Sequence, residues 1–306
     1  MKRSAVVLWV LVSSFAASSL KAQFYYYNDR YYDSPLAFEI GGSAGLMNSL
    51  TDLGGKKGIG KSFIKDLNWK NAKPSFSVYA LAMYKYAVGV RLEGTFGSVQ
   101  AADSSLRSVA TSTFGRYERN LSFKSKITDV QLALEIHPLF FRDYDENEAP
   151  YFSPYLVAGV GYFSFDPQAE INGQVYSLQP LRTEGQGFAE YRDRTPYKLS
   201  QVNFPVGIGI RYEVNSFLNA RVEVLHRILQ TDYLDDVSKD YVDPALFSSY
   251  LPANQAAIAQ QLFDRQGELN GSHTTQVGSQ RGNPKNNDAY FTVQVKLGIT
   301  LGRLRR

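Results

Sequence analysis

From residue 201 to residue 214 the chain alternates without a break. Val202, Phe204, Val206, Ile208, Ile210, Tyr212 and Val214 fall on one parity; Gln201, Asn203, Pro205, Gly207, Gly209, Arg211 and Glu213 fall on the other. Successive side chains of a strand point to opposite faces, so this segment predicts a strand with one apolar and one polar face. Asn215-Ser216 turns the chain, and Ala220, Val222, Val224 and Ile228 then alternate with Asn219, Arg221, Glu223 and Arg227. The same pattern sets Phe38, Ile40, Ala44 and Leu46 against Glu39, Gly41, Ser43 and Gly45. It recurs at Phe76–Tyr84, at Val88–Phe96 around Arg91 and Glu93, at Val130–His137 around Glu135, at Tyr155–Phe165, and at Phe291–Leu301 around Lys296. Eight strands are predicted, each near the ~9–11 residues that cross a bilayer at a tilt.

Alternation alone does not say which face is outside, because a soluble barrel with an apolar interior alternates too. Connection lengths bear on the choice. The links at 47–73, 100–122, 166–196 and 231–288 are long, whereas those at 85–87, 138–150 and 215–218 are shorter. Long and short alternate along the chain, as in an outer-membrane barrel with extracellular loops on one rim and periplasmic turns on the other. Aromatic residues cluster at the short-turn ends (Tyr84, Tyr86, Phe140, Phe141, Tyr151, Phe152, Phe217), where an interfacial girdle belongs. The apolar parity is then lipid-facing. Arg91, Glu93, Glu135, His137, Arg211, Glu213, Arg221, Glu223, Arg227 and Lys296 point inward as a mixed-sign network. Buried charges persist when paired, and side chains fill a barrel of eight strands. A closed interior is expected, not a pore.

Composition adjusts this picture in two places. Met1–Ala22 carries Lys2 and Arg3, an apolar run from Ala5 to Val12 and small residues before Gln23, the layout of a secretory signal peptide. Residues 23–306 are then the barrel, with an insertion at about 231–288. The formal charge of +4 includes Lys2, Arg3 and Lys21, and without them it is +1, which offers no footprint for nucleic acid. With 0 cysteines there is no lipid-bearing thiol, disulfide framework or thiolate metal site.

Candidate chemistry is sparse. His137 lies near Glu135, so a His-Glu-Ser hydrolase group is considered, but a histidine held in the interior network is the simpler reading. His226 shares parity with the apolar face, and His273 lies in a polar loop. Asp232, Asp235, Asp236, Asp240 and Asp243 form an acidic stretch that lacks the glycine and terminal glutamate of an EF-hand loop. Solvated turns account for it, and calcium stays an open question. Gly58-Ile59-Gly60-Lys61-Ser62 lacks phosphate-loop spacing. Residues 244–265 predict a short amphipathic helix in the last long connection. No catalytic residue, cofactor or metal is assigned.

Three segments carry a resemblance. They are Ser153–Phe163 leading to Leu178-Gln-Pro-Leu-Arg-Thr-Glu-Gly-Gln-Gly187; Phe204-Pro-Val-Gly-Ile-Gly-Ile-Arg-Tyr212; and Thr231-Asp-Tyr-Leu-Asp-Asp-Val-Ser238 with Tyr241-Val-Asp-Pro244. The chain resembles the outer-membrane β-barrel family that contains PorG of the type IX secretion system, most strongly over residues 151–244. The resemblance implies a structural role, attachment of a periplasmic ring built from PorK and PorN to the outer membrane, and supplies no catalytic residues. The expected protein is an eight-stranded antiparallel up-and-down transmembrane β-barrel with long extracellular loops, partnered by outer-membrane lipid and PorK/PorN-like subunits. Neither nucleic acid nor a small-molecule substrate is expected. Tyr25, Tyr26, Tyr27, Arg142, Asp145, Glu146, Arg303 and Arg306 are the expected periplasmic contacts. The alternatives are a surface barrel whose long loops bind a ligand, host surface or neighbouring protein, and a small outer-membrane hydrolase.

Overall fold

The computed structural model describes residues 36–55, 68–113, 115–142, 150–215, 217–271 and 275–301. The expected signal segment, Tyr25–Tyr27, Gly58–Ser62, Asp145, Glu146, His273, Arg303 and Arg306 lie outside these residues.

Ten strands are described: β1 (Leu36–Leu50), β2 (Lys73–Tyr84), β3 (Val88–Ala102), β4 (Ser122–Ile136), β5 (Phe152–Ser164), β6 (Pro167–Ile171), β7 (Gln174–Ser177), β8 (Ser200–Glu213), β9 (Leu218–Leu229) and β10 (Ala289–Leu301). Eight of them form a closed antiparallel barrel in which chain neighbours pair and β10 returns to β1, with Gly42 opposite Leu297. Closure removes the unpaired edges that a bilayer does not tolerate. The hairpin β6–β7 was not expected. It rises from the third long connection and pairs with the start of β4 through Lys124–Gln168 and Ser125–Pro167.

All four long connections leave one rim, and the short turns close the other. Lys85 and Tyr86 make the β2–β3 turn with φ of 50° and 57°, and Ala87 N donates to Tyr84 O at 3.0 Å. Positive φ at both central positions matches the twist of a two-residue hairpin. Asn215 Oδ1 accepts from Phe217 N and Leu218 N at 3.0 and 2.8 Å, which sets the β8–β9 turn.

The apolar parity faces outward. Leu92, Leu132, Leu156, Ile208, Val222 and Leu297 are each more than half exposed. Such a belt around a closed barrel is stable against lipid tails and costly in water. No helix among the described residues is long and apolar enough to cross a membrane. Tyr84, Phe141, Tyr151, Phe152 and Phe217 stand exposed around the short-turn rim. Tyr86 does not join them. It is buried against Arg211, whose guanidinium carbon lies 5.4 Å from the ring centroid, and Phe140 packs on it at 6.0 Å.

The strands are longer than the bilayer requires. At ~3.4 Å per residue, the 15 residues of β4 run about 50 Å along the strand, which at a tilt of about 40° is about 38 Å of height, well beyond the apolar band of about 25 Å of a transmembrane barrel. Beyond that band the two faces exchange character. Along β3 the outward positions pass from Val90, Leu92 and Phe96 to Ser98 and Gln100, while the inward ones pass from Arg91, Glu93 and Thr95 to Val99 and Ala101. On β4, Lys124 and Lys126 are outward and Phe123 and Ile127 inward at the same level. Here the barrel becomes an ordinary water-facing sheet with an apolar interior.

That interior continues into the long connections. Met47, Val99, Phe123, Phe163, Leu229 and Tyr290 from the strands share one core with Leu53, Phe165, Leu181, Phe188, Leu234, Val237 and Phe247 from the connections. A turn at Pro244–Leu246 and helices at Phe247–Tyr250 and Ala253–Leu262 cover it, with Ala256, Ala259 and Leu262 facing inward. The long-loop end is therefore a packed dome.

Candidate functional site

The middle of the barrel holds the ion-pair network. Arg91 lies at its centre: Nη1 donates to Glu135 Oε1 at 2.6 Å and to Glu223 Oε2 at 2.7 Å, Nη2 donates to Glu223 Oε1 at 3.1 Å, and Nε stands 3.0 Å from Glu93. Lys296 Nζ bridges Glu93 at 2.6 Å and Glu223 at 2.9 Å. Arg221 joins Glu135 at 2.8 Å to Glu39 at 2.9 Å. Strand parity alone brings these groups together, because every second residue of β1, β3, β4, β9 and β10 points at the axis. Tyr79 OH donates to Glu39 at 2.6 Å and Tyr155 OH to Glu223 at 2.9 Å, so the carboxylates have neutral donors as well as cations. The Tyr155 ring occupies the space a side chain at position 209 would need, so the close approach there depends on Gly209.

Toward the long-loop end Arg227 pairs with Asp129 at 2.6 Å and donates to Thr292 and Thr95. Toward the short-turn end Arg211 donates to Asn219 at 3.1 Å and to Glu213 at 3.4 Å. All ten interior positions singled out in the sequence thus face inward, with Glu213 the most exposed of them at 12% of its side chain. Sequence reasoning left out two partners. Glu39 was placed on the polar parity but not assigned to the network. Asp129 was missed because the fourth strand was read from Val130. Its signal was present: Asp129 continues the Gln131, Ala133, Glu135 parity.

His137 occupies a geometry that resembles a hydrolytic group. Nδ1 lies 2.9 Å from Ser153 Oγ and Nε2 lies 3.3 Å from Glu135 Oε2. Yet His137 and Glu135 are fully buried and Ser153 nearly so, with the ring stacked 5.0 Å from that of Tyr155. Nucleophilic catalysis needs the hydroxyl to meet a substrate, and this one opens on neither lipid nor water. The arrangement works as a hydrogen-bonded plug.

In the dome, the motifs that carried the resemblance interlock. Asp236, at φ 65°, accepts from Thr183 Oγ1 at 2.5 Å and Tyr197 OH at 2.7 Å. Glu184 accepts from the backbone N–H groups of Ser238 and Lys239 at 2.9 and 3.0 Å, and from Arg281 Nη1 at 3.0 Å. Asp235 holds Leu53 N at 3.1 Å and Val237 N at 3.0 Å, while Asp103 holds Gly54 N at 3.1 Å. Each carboxylate thereby stitches one connection to another.

The acidic stretch corrects the expectation of solvated turns. Asp235 and Asp236 are fully buried and Asp232 is 8% exposed, whereas Asp243 stays outside and caps Ala245 N. Burial pushes the Asp235 carboxyl up to about 8 and that of Asp232 up to about 9, with neighbouring Asp52 adding to both. Asp236 is raised less, to about 6, because Arg281, Thr183 and Tyr197 oppose its burial. A cleft of about 660 Å³ opens beside these residues, lined by Thr51, Asp52, Asn71, Arg119, Arg281 and Asp288 among others. His226, half-buried on the outer face of β9, borders it. Among the expected turn-side contacts, Arg142 is described, and it is exposed.

No family model matches the chain, and no curated protein is similar to it in sequence. Among solved structures, the attachment invasion locus protein Ail of Yersinia pestis aligns over 87% of this chain and 97% of its own, at 10% identity and TM-score 0.35. Neisserial surface protein A does so over 87% and 97%, at 8% identity and TM-score 0.37. The outer membrane protein OprG from Pseudomonas aeruginosa does so over 87% and 95%, at 11% identity and TM-score 0.34. The likeness concerns strand arrangement alone.

Proposed function

We propose that this chain is a non-enzymatic outer-membrane barrel that anchors a periplasmic assembly, the PorK/PorN-like ring of type IX secretion, to the membrane. The filled interior supports this reading most directly. Paired charges occupy the transmembrane section and an apolar core closes the long-loop end, so the barrel offers a passenger no path and serves attachment instead. The fused motifs of residues 183–187 and 231–238 fit the same reading, since they act as folding signatures of the dome. The contacts assigned to this role are Arg142, exposed on the short-turn rim, and, outside the described residues, Tyr25–Tyr27, Asp145, Glu146, Arg303 and Arg306. Co-purification from detergent-solubilised membranes tests it. Recovery of ring subunits, together with loss of secretion in a deletion strain, is the expected result. A deletion strain that secretes normally and a barrel that purifies alone would sink it.

A second reading has one observation in its favour, the polar cleft on the long-loop end. A surface barrel binding a ligand there would lose that binding on Gln280→Ala with Asn286→Ala, while an anchor would not notice. Deleting residues 245–288 does not separate the two, because Phe247, Ala259 and Leu262 belong to the dome core.

A further inference from the structure

The cleft at the long-loop end has its foot on the lipid-facing wall. Leu50, Ala289 and Ile228 all line it, and they are neighbours in register across β1, β10 and β9. Each carries the outward parity of its strand. On β9 the outward positions Val222 and Val224 are exposed below Ile228, and the next outward position above it is Gln230, exposed as well. The apolar belt of β9 therefore ends at the foot of the cleft. Trp69 stands at the same level. It is 56% exposed and meets Phe291 edge-on with ring centroids 5.9 Å apart, and Phe291 is the register partner of His226, which borders the cleft. Tryptophan concentrates where an apolar wall meets water at a membrane surface.

Above the foot the walls are polar and rich in amides. The side chains of Asn71 and Asn286 make no hydrogen bond among the described residues. Gln280 uses only its NH₂ group, on Gly282 O at 2.8 Å, and Asn287 only its own, on Leu229 O at 3.4 Å. An amide sets a donor beside an acceptor, a pattern that two adjacent hydroxyls complement. A phosphate finds no surplus of positive charge here. Asp52, Glu118 and Asp288 match Arg116, Arg119 and Arg281 in number, and the guanidiniums of Arg119 and Arg281 are committed to Asp103 and Glu184. The volume of about 660 Å³ is that of an ordinary small-molecule site.

We propose that this cleft binds the sugar headgroup of an uncharged glycolipid, whose acyl chains lie on the wall below it around Leu46 and Val224. The proposal takes from the second reading only that the cleft is a binding site, and fixes the class of its occupant. A soluble sugar would use the amides and leave the apolar foot idle. A lipid with a small head would use the foot and leave the amides idle. A glycolipid uses both, and its hydroxyls satisfy polar groups that stand at the edge of a medium without water.

The experiment reconstitutes the full chain in nanodiscs of phosphatidylcholine that contain monogalactosyl diacylglycerol and phosphatidylglycerol in equal small amounts. Native mass spectrometry then identifies the lipids the chain retains. One galactolipid per chain is expected, in preference to phosphatidylglycerol by about tenfold or more. Gln280→Ala with Asn286→Ala, both at exposed positions, should lower that retention about tenfold, the worth of two ordinary hydrogen bonds. Ile228→Gln should weaken it about threefold by taking apolar surface from the foot. Preference for phosphatidylglycerol overturns the proposal, as does galactolipid retention that the double variant leaves unchanged. Retention of neither lipid overturns it as well. Methyl galactoside bound in solution, seen by calorimetry, would in that case leave the second reading standing, and its failure to bind would remove support from both. The comparison of the two lipids needs no variant, so misfolding of a mutant cannot obscure the outcome.

Discussion

Phe96 on β3 and Thr128 on β4 are register partners, and they stand at the level where the barrel's outer surface changes from apolar to polar. Below them, Leu92 pairs with Leu132 and Val90 with Leu134; above them, Ser98 pairs with Lys126 and Gln100 with Lys124. A charged residue facing lipid becomes steeply more costly with depth, so this level marks the bilayer boundary. Single spin labels at Ser98 and Lys126 should respond to a water-soluble relaxant, and labels at Leu92 and Leu132 to oxygen in the lipid. Equal water accessibility at both levels would rule the boundary out.

The Arg91 guanidinium serves three carboxylates at once. Arg91→Ala leaves Glu93, Glu135 and Glu223 in a closed interior with Lys296 and Arg221 as remaining cations. Breaking a buried pair by removing one partner typically costs about 3–5 kcal/mol. The variant should unfold at distinctly lower temperature in a heat-modifiability assay on gels. Replacing Arg227 and Asp129 together by Met and Leu should cost far less, since both charges leave. Equal losses for the two replacements would contradict this account.

Ser153 is expected to stay silent toward activity-based probes. Its hydroxyl meets His137 but is shut off from solvent, so a fluorophosphonate reagent should leave the folded protein unlabelled. Ser153→Ala should lower stability by only about 1 kcal/mol, the net worth of an ordinary hydrogen bond. Covalent labelling at Ser153 in the native barrel would reopen the hydrolytic reading.

The dome should respond to pH. Asp232, Asp235 and Asp236 carry folded values of about 9, 8 and 6, raised above the ordinary 3.8, chiefly by burial. A raised carboxyl stabilises the fold fully below its unfolded value, and that contribution declines until the pH has passed the folded value. The dome should therefore lose stability progressively from about pH 4 to about pH 9. Limited proteolysis of residues 231–288 across that range provides the readout. Asp232→Asn, which does not titrate, should flatten the upper end; a profile unchanged by it would exclude Asp232 as the source.

How much of this was legible beforehand follows from where the physics is local. Strand parity is local, so Arg91, Glu135, Arg221 and Lys296 could be put on one face from their spacing, and that face could be turned inward from the connection lengths. Partner choice is not local: Arg221 meets Glu39 across 182 positions of chain. The inward position of Asp129 was lost by starting a strand at Val130, eight residues after its first residue Ser122, and the burial of Tyr86 by treating every aromatic near a rim as lipid-facing. The dome was least legible. Its core needs Met47 and Phe163 from two strands, Leu181 from the third long connection and Leu234 and Phe247 from the fourth, and no periodicity links them. The aspartates of the 232–243 stretch look alike in sequence, yet Asp235 is a buried stitch and Asp240 half exposed.

The ion-paired interior also bears on how the barrel carries load. The strands of a closed barrel are tilted by about 35–45° to its axis, so tension applied at the short-turn rim loads the ladder hydrogen bonds largely in shear. Arg91, Arg221 and Lys296 cross-brace β1, β3, β4, β9 and β10 through the centre, which ties those five strands against sliding past one another. The barrel behaves mechanically as a solid rivet, stiffest against the axial pull that a cargo fastened beneath it would exert.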